Sequence, residues 1–248
     1  MSLLKSCPIT EAEIDSDWKV LCTIGGVATM ILIVYSLVTM VSVVVLGGAP
    51  GNAEEAFTLL QNNRLVGLAR LDVLTVLVMP LYYLLFLGLY IALRRTRSAY
   101  TTLATVLVFV GLTLFLATPS AFSMLTLSDK HAAATTEAQR SQLLAAGEAI
   151  LASDMFHSTG AFVGGVLLQS AAVLISVVML WSAIFSKLTA YVGILTHGLD
   201  LLHIPLLILA PPAGVFLMAI AGTLYLLWFP LVGWRLWQLG RREKQLPS

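Results

Sequence analysis

The chain has 248 residues, of which 58% are hydrophobic and 11% charged, and its net charge is +1. Its mean hydropathy is +0.92. Soluble domains carry roughly 25% charged residues, so a water-soluble enzyme is excluded; the balanced charge also excludes a nucleic-acid binder working through a basic face and an acidic disordered chain.

The N-terminal segment, residues 1–19, is polar and acidic, with Glu11, Glu13, Asp15 and Asp17. It lacks the basic start and short apolar core of a cleavable signal. Cys7 and Cys22 have no CxxC spacing, so two unpaired thiols are expected.

A helix needs about 20 apolar residues to cross about 30 Å of hydrocarbon. Charge-free runs then predict six spans, at about 20–46, 66–93, 98–122, 156–185, 188–209 and 214–237. Pro211-Pro212-Ala213-Gly214 divides the last two. Pro80, Pro119, Pro205 and Pro230 fall inside or at the ends of helices and predict kinks. The glycine pairs Gly25-Gly26 and Gly164-Gly165 permit close helix approach, and with it a possible homo-oligomer.

Two segments between spans carry helical patterns. Asn52 precedes Glu55 by three residues, the spacing of a capping box, and Ala53, Ala56, Phe57 and Leu60 then fall on one face. Leu143, Leu144, Gly147, Ile150 and Leu151 form a second stripe after Thr136-Glu137. Both predict short amphipathic helices on the outer face of the membrane or capping the bundle. Glu55 precedes Asp72 by the same 17 residues that separate Glu137 from Asp154, a faint sign of an internal repeat.

Basic residues give the orientation. With both termini inside, Lys5, Lys19, Arg94, Arg95, Arg97, Lys187, Arg235, Arg241, Arg242 and Lys244 face the cytoplasm, against Arg64, Arg70, Lys130 and Arg140 outside. Trp18, Tyr90, Tyr100, Trp181, Tyr191, Trp234 and Trp237 would then form an inner aromatic belt. Residues 20–240 read as one transmembrane domain, followed by a basic cytoplasmic tail at 241–248.

Ionisable groups inside a bilayer are costly, so each marks a possible site. Counted from Lys187, Asp200 stands roughly 20 Å into the fifth span. His197, Asp200 and His203 share one 120° stripe. Arg70 and Asp72 open the second span, and Asp154 and His157 open the fourth. These residues suggest a polar pocket in the outer half of the bundle, binding or passing a small ligand or ion. Asp200 would be its central group, flanked by His197 and His203, with Asp72 and Arg70 contributing.

Three alternatives stand beside this reading. In a structural role, Asp72 would pair with Arg70 or Arg64, and Asp200 with His197 or His203, as buried charges require. A non-catalytic sensor or structural partner fits that case. In a metal site, His157, His203 and Asp154 would hold zinc with an open hydrolytic position. Transmembrane hydrolases of the ceramidase and adiponectin-receptor type have similar His/Asp/Ser inventories, but the i, i+6 histidine spacing here departs from theirs. Haem between His157 and His203 or His197 is the third. The balance favours a non-enzyme.

Arg64-Leu65-Val66-Gly67 leading to Leu71-Asp72, the Arg94-Arg95 helix end, Tyr191-Val192-Gly193-Ile194-Leu195 and the closing run Leu227-Trp228-Phe229-Pro230 to Trp234-Arg235-Leu236 form a further pattern. It resembles a bacterial family of six-helix integral membrane proteins known only as a domain of unknown function. The resemblance spans about residues 20–240. It implies a bacterial inner-membrane location and the same six-span layout, and no catalytic residues.

Overall fold

The computed structural model describes residues 16–241. Cys7, the acidic residues up to Asp15 and the tail from Arg242 onward lie outside the described residues. Among those described, the chain is all-α, with eleven helices and no strand. In order they are α1 (Ser16–Leu46), α2 (Ala53–Asn62), α3 (Arg64–Arg70), α4 (Val73–Val78), α5 (Leu81–Leu93), α6 (Ser98–Phe115), α7 (Ala121–Ala133), α8 (Glu137–Leu151), α9 (Thr159–Trp181), α10 (Lys187–Leu209) and α11 (Pro211–Arg241). Six stretches are long and apolar enough to cross a bilayer: Trp18–Leu46, Val73–Leu93, Ser98–Phe115, Thr159–Trp181, Lys187–Leu209 and Pro211–Arg241.

Two expected spans are shorter than their apolar runs. The run 66–93 breaks after Arg70 and again at Met79-Pro80. Pro80 has no N–H to donate and its ring crowds the carbonyl one turn back. The run 98–122 stops at Phe115, and Pro119 lies in the link to a separate helix, α7, whose first two residues fell inside the expected span. The division of the last two spans is as expected: Ala210 caps α10, and Pro211 opens α11, where its missing N–H costs nothing.

The described chain divides into two compact units. The first comprises the segment ending at Ile33, Leu81–Val110 and the segment from Val166. Here α10 and α11 form an antiparallel hairpin, and α11 also packs on α5. Glycine allows α1 to approach closely. A Cβ at Gly26 would stand 2.8 Å from the Trp237 nitrogen and 2.9 Å from the Gly233 oxygen. One at Gly25 would stand 2.9 Å from the Leu84 oxygen. With lipid equally apolar on all sides, such close backbone contact is what drives helix association. Arginines cover tryptophans in this unit: Arg94 over Trp18 at 4.7 Å, Arg97 over Trp181 at 5.4 Å and Arg241 over Trp237 at 4.0 Å. In each the guanidinium stands over the ring, a cation–π contact.

The second unit comprises Val34–Pro80 and Gly111–Gly165. Its centre is α2, whose apolar face of Ala53, Ala56, Phe57 and Leu60 is buried with Met124 of α7. Leu144, Ile150 and Leu151 of α8 close over it. Full burial of a side chain such as Phe57 or Leu60 contributes about 1.5–3 kcal/mol. The expected caps are present: Asn52 Oδ1 accepts from the Glu55 amide at 2.8 Å, and Thr136 Oγ1 from the Gln139 amide at 3.2 Å. The apolar stripe of α2 and the Leu144, Ile150 and Leu151 part of the α8 stripe therefore meet protein.

Candidate functional sites

The sequence-predicted polar residues fall into two groups, one in each unit. In the second unit, Asp72, Asp154 and His157 line a cavity of about 670 Å³. Ala49, Pro50 and Gly51 form one wall, the end of α8 another, and Phe156 and Leu71 supply apolar surface.

Each polar group in it has a definite local role. Asp72 sits at the α3–α4 break and reaches the start of α7. Its Oδ2 accepts from the Ser120 amide and, at 2.8 Å, from Ser120 Oγ. Its Oδ1 accepts from the Ala121 amide at 2.9 Å. Asp72 therefore caps α7 from outside that helix, supplying acceptors for donors that a helix start leaves open. The expected pairing with Arg70 or Arg64 is not made. Arg70 instead donates to Glu55 Oε1 at 2.9 Å and to the Gly48 carbonyl at 2.7 Å, and Arg64 pairs with Asp129 at 2.7 Å. Glu55 is held below the usual carboxylate range, first by the Gly51 amide and then by Arg70.

Asp154 is buried, and its Oδ1 accepts from the Phe156 and His157 amides at 2.8 and 3.0 Å. His157 Nδ1 lies 2.8 Å from the same oxygen, while most of the ring is exposed. A buried acid thus orients the imidazole and leaves Nε2 available. Glu148 accepts from the Ala53 amide through Oε1 at 2.8 Å. The lining holds three carboxylates and one imidazole, with no lysine or arginine.

In the first unit, the stripe on α10 faces protein, as its 3.6-residue spacing requires. His197 is fully buried. Asp200 joins two residues that sequence reasoning passed over, Gln169 of α9 and Tyr225 of α11. Gln169 Nε2 and Tyr225 Oη stand 2.5 and 2.8 Å from Asp200 Oδ2. Gln169 Oε1 meets His197 Nδ1 at 2.8 Å. Tyr225 Oη is also 3.2 Å from His197 Nδ1 and from Gln169 Nε2. His203 Nδ1 lies 2.9 Å from Asp200 Oδ1, near enough for an ion pair but out of line for a hydrogen bond. Gln169 is the single amide side chain in its span, and that was the available signal.

Of the expected metal ligands, Asp154 and His157 belong to the second unit and His203 to the first. Among the described residues no group of three or more His, Cys, Asp or Glu side chains is placed to hold a metal ion. His157 is engaged by Asp154 and His203 by Asp200, each a pair three residues apart on its own stretch of chain. For haem, His197 has its Nδ1 on Gln169 and its ring perpendicular to Trp228, with centroids 4.5 Å apart.

Six bilayer-length apolar helices make this chain a multi-pass membrane protein. No protein-family model, curated protein or solved structure matches it.

Proposed function

We propose that the protein binds a small ligand in the cavity of the second unit, and that the ligand has an apolar body and a cationic head. The cavity carries this reading: about 670 Å³ is the size of a small-molecule site, and its lining combines Asp72, Glu148 and Asp154 with Leu71, Leu151 and Phe156. A cation gains from three carboxylates without a competing basic side chain, and Phe156 and Leu151 give the apolar body a surface. His157 Nε2 adds a hydrogen-bonding position fixed by Asp154. Binding, or passing the ligand onward, requires no covalent step, so the reading is of a non-enzyme.

The test is a thermal-shift titration of the purified protein with benzylammonium and with benzoate, its anionic counterpart. Benzylammonium should stabilise, benzoate should not, and Glu148→Gln should weaken the response several-fold while retaining the acceptor for the Ala53 amide. Equal responses to the two probes, or none, would overturn the proposal.

The same reading puts the protein in a bacterial inner membrane with both termini cytoplasmic. It is supported by the excess of basic residues on that side and by the Arg–Trp pairs of Trp18, Trp181 and Trp237. A periplasm-dependent reporter fused after Ser248 should then stay silent.

A further inference from the structure

The cavity of the second unit has spent most of its donors and kept acceptors in reserve. Its side-chain donors are the Ser120 hydroxyl and the His157 ring. Ser120 Oγ donates to Asp72 Oδ2, and His157 turns Nδ1 to Asp154 Oδ1. The Ser120 amide is spent on Asp72, the Phe156 and His157 amides on Asp154, and the Gly51 amide on Glu55. Pro50 has no N–H to give.

The three carboxylates are not equally committed. Asp72 uses both oxygens on the start of α7. Asp154 uses Oδ1 alone, for two amides and the His157 ring, and Glu148 uses Oε1 alone, for the Ala53 amide. Asp154 Oδ2 and Glu148 Oε2 have no hydrogen-bond partner among the described residues. Asp154 is the more telling of the two, because its side chain is only 7% exposed. A nearly buried carboxylate oxygen without a donor is costly, and Asp154 lines the cavity from which a donor can come. Quaternary ammonium groups, by contrast, are held by cages of several aromatic faces. Phe156 is the single phenyl ring in this lining.

We infer that the head of the ligand is a primary ammonium, recognised through its N–H bonds by Asp154 Oδ2 and Glu148 Oε2. This rests on the reading that the cavity takes a ligand with a cationic head, and it names which cations. An alkylammonium brings three N–H donors and no acceptor, the complement of what the lining leaves open. A quaternary ammonium carries the same charge without an N–H, and it leaves Asp154 Oδ2 unsatisfied. Asp72, already engaged by α7, acts on the head by charge alone.

The test compares the dissociation constants of benzylammonium and benzyltrimethylammonium for the full chain, purified in detergent, by thermal-shift titration. Benzylammonium should bind about tenfold more tightly or better, the scale of one lost hydrogen bond to a charged acceptor. Asp154→Asn keeps an oxygen for the Phe156 and His157 amides and sets an NH₂ in place of Oδ2. The preference for benzylammonium should fall toward unity in that variant. A preference based only on the greater bulk of the trimethyl head would persist there, and such persistence would overturn the inference. Should Asp154→Asn not fold, Glu148→Gln carries the same comparison with the same two outcomes. Equal binding of the two cations by the wild type would overturn the primary-ammonium assignment and leave the cationic-head reading standing. No response to either cation would overturn both.

Discussion

Replacing Asp72 by Asn tests whether a single carboxylate joins the α3–α4 break to α7. The exchange preserves shape and removes charge. Asp72 accepts three hydrogen bonds, from the Ser120 amide, Ser120 Oγ and the Ala121 amide, and both residues are buried. Asn keeps one acceptor oxygen and turns an NH₂ toward donors that need an acceptor. If the oxygen stays on Oδ2's side, the Ala121 amide loses its partner; if it flips, the Ser120 amide does. Either leaves at least one buried donor unsatisfied, at about 1–3 kcal/mol, and weakens the remaining bonds to a charged acceptor, each contributing about 1.5–3 kcal/mol. The expected loss is about 2–4 kcal/mol, a shift of one to three orders of magnitude in the unfolding equilibrium. Equilibrium unfolding in mixed micelles reads the loss. Amide exchange localises it: Ser120 and Ala121 should lose protection first. A variant within about 0.5 kcal/mol of wild type, with those amides still protected, would refute the capping argument.

Two further predictions rest on other contacts. Gly26→Ala should destabilise the first unit by about 1–3 kcal/mol, because the new Cβ meets backbone atoms of Trp237 and Gly233 that cannot rotate away; detergent melting curves should show it, with Gly48→Ala, whose Cβ meets nothing within 4 Å, as control. Glu55 has its carboxyl depressed by the Gly51 amide and Arg70, so its contribution is present above the unfolded carboxylate range and is lost as pH falls through the folded value. Melting curves taken as the solution is acidified should therefore fall more steeply for the wild type than for Glu55→Gln, which lacks that titration.

The legible parts of the fold were those written locally. Charge-free runs marked the six spans, Asn52 and Thr136 announced α2 and α8, and the double proline placed the turn before α11. Helix α7 was not legible by the same rule, because the charge-free run continues from Ser98 to Ser128 and the span drawn to 122 overlaps its start. Pro119 was the cue that competed with hydropathy, and it prevailed. The sites were half legible. Depth and periodicity brought His197, Asp200 and His203 to one face. They could not show which neighbours that face meets: Gln169 and Tyr225 lie 31 and 25 residues away along the chain from Asp200. For Asp72 the expected partner, Arg70, was two residues away in sequence, whereas the actual one, Ser120, is 48 residues distant. Pairings of that kind depend on how helices face each other, which a periodicity of 3.6 does not encode.

The order in which α2 and its coverings are synthesised carries a consequence for biogenesis. The face of Phe57 and Leu60 is complete when α2 emerges, but Ser128 of α7, which bonds to Gln61, follows 67 residues later. At about 5–20 residues per second, the ribosome leaves that face uncovered for roughly 3–13 s. Over that interval the nascent chain is a substrate for holding factors, and slowing translation just after residue 62 should lengthen the exposure and lower the yield of intact protein.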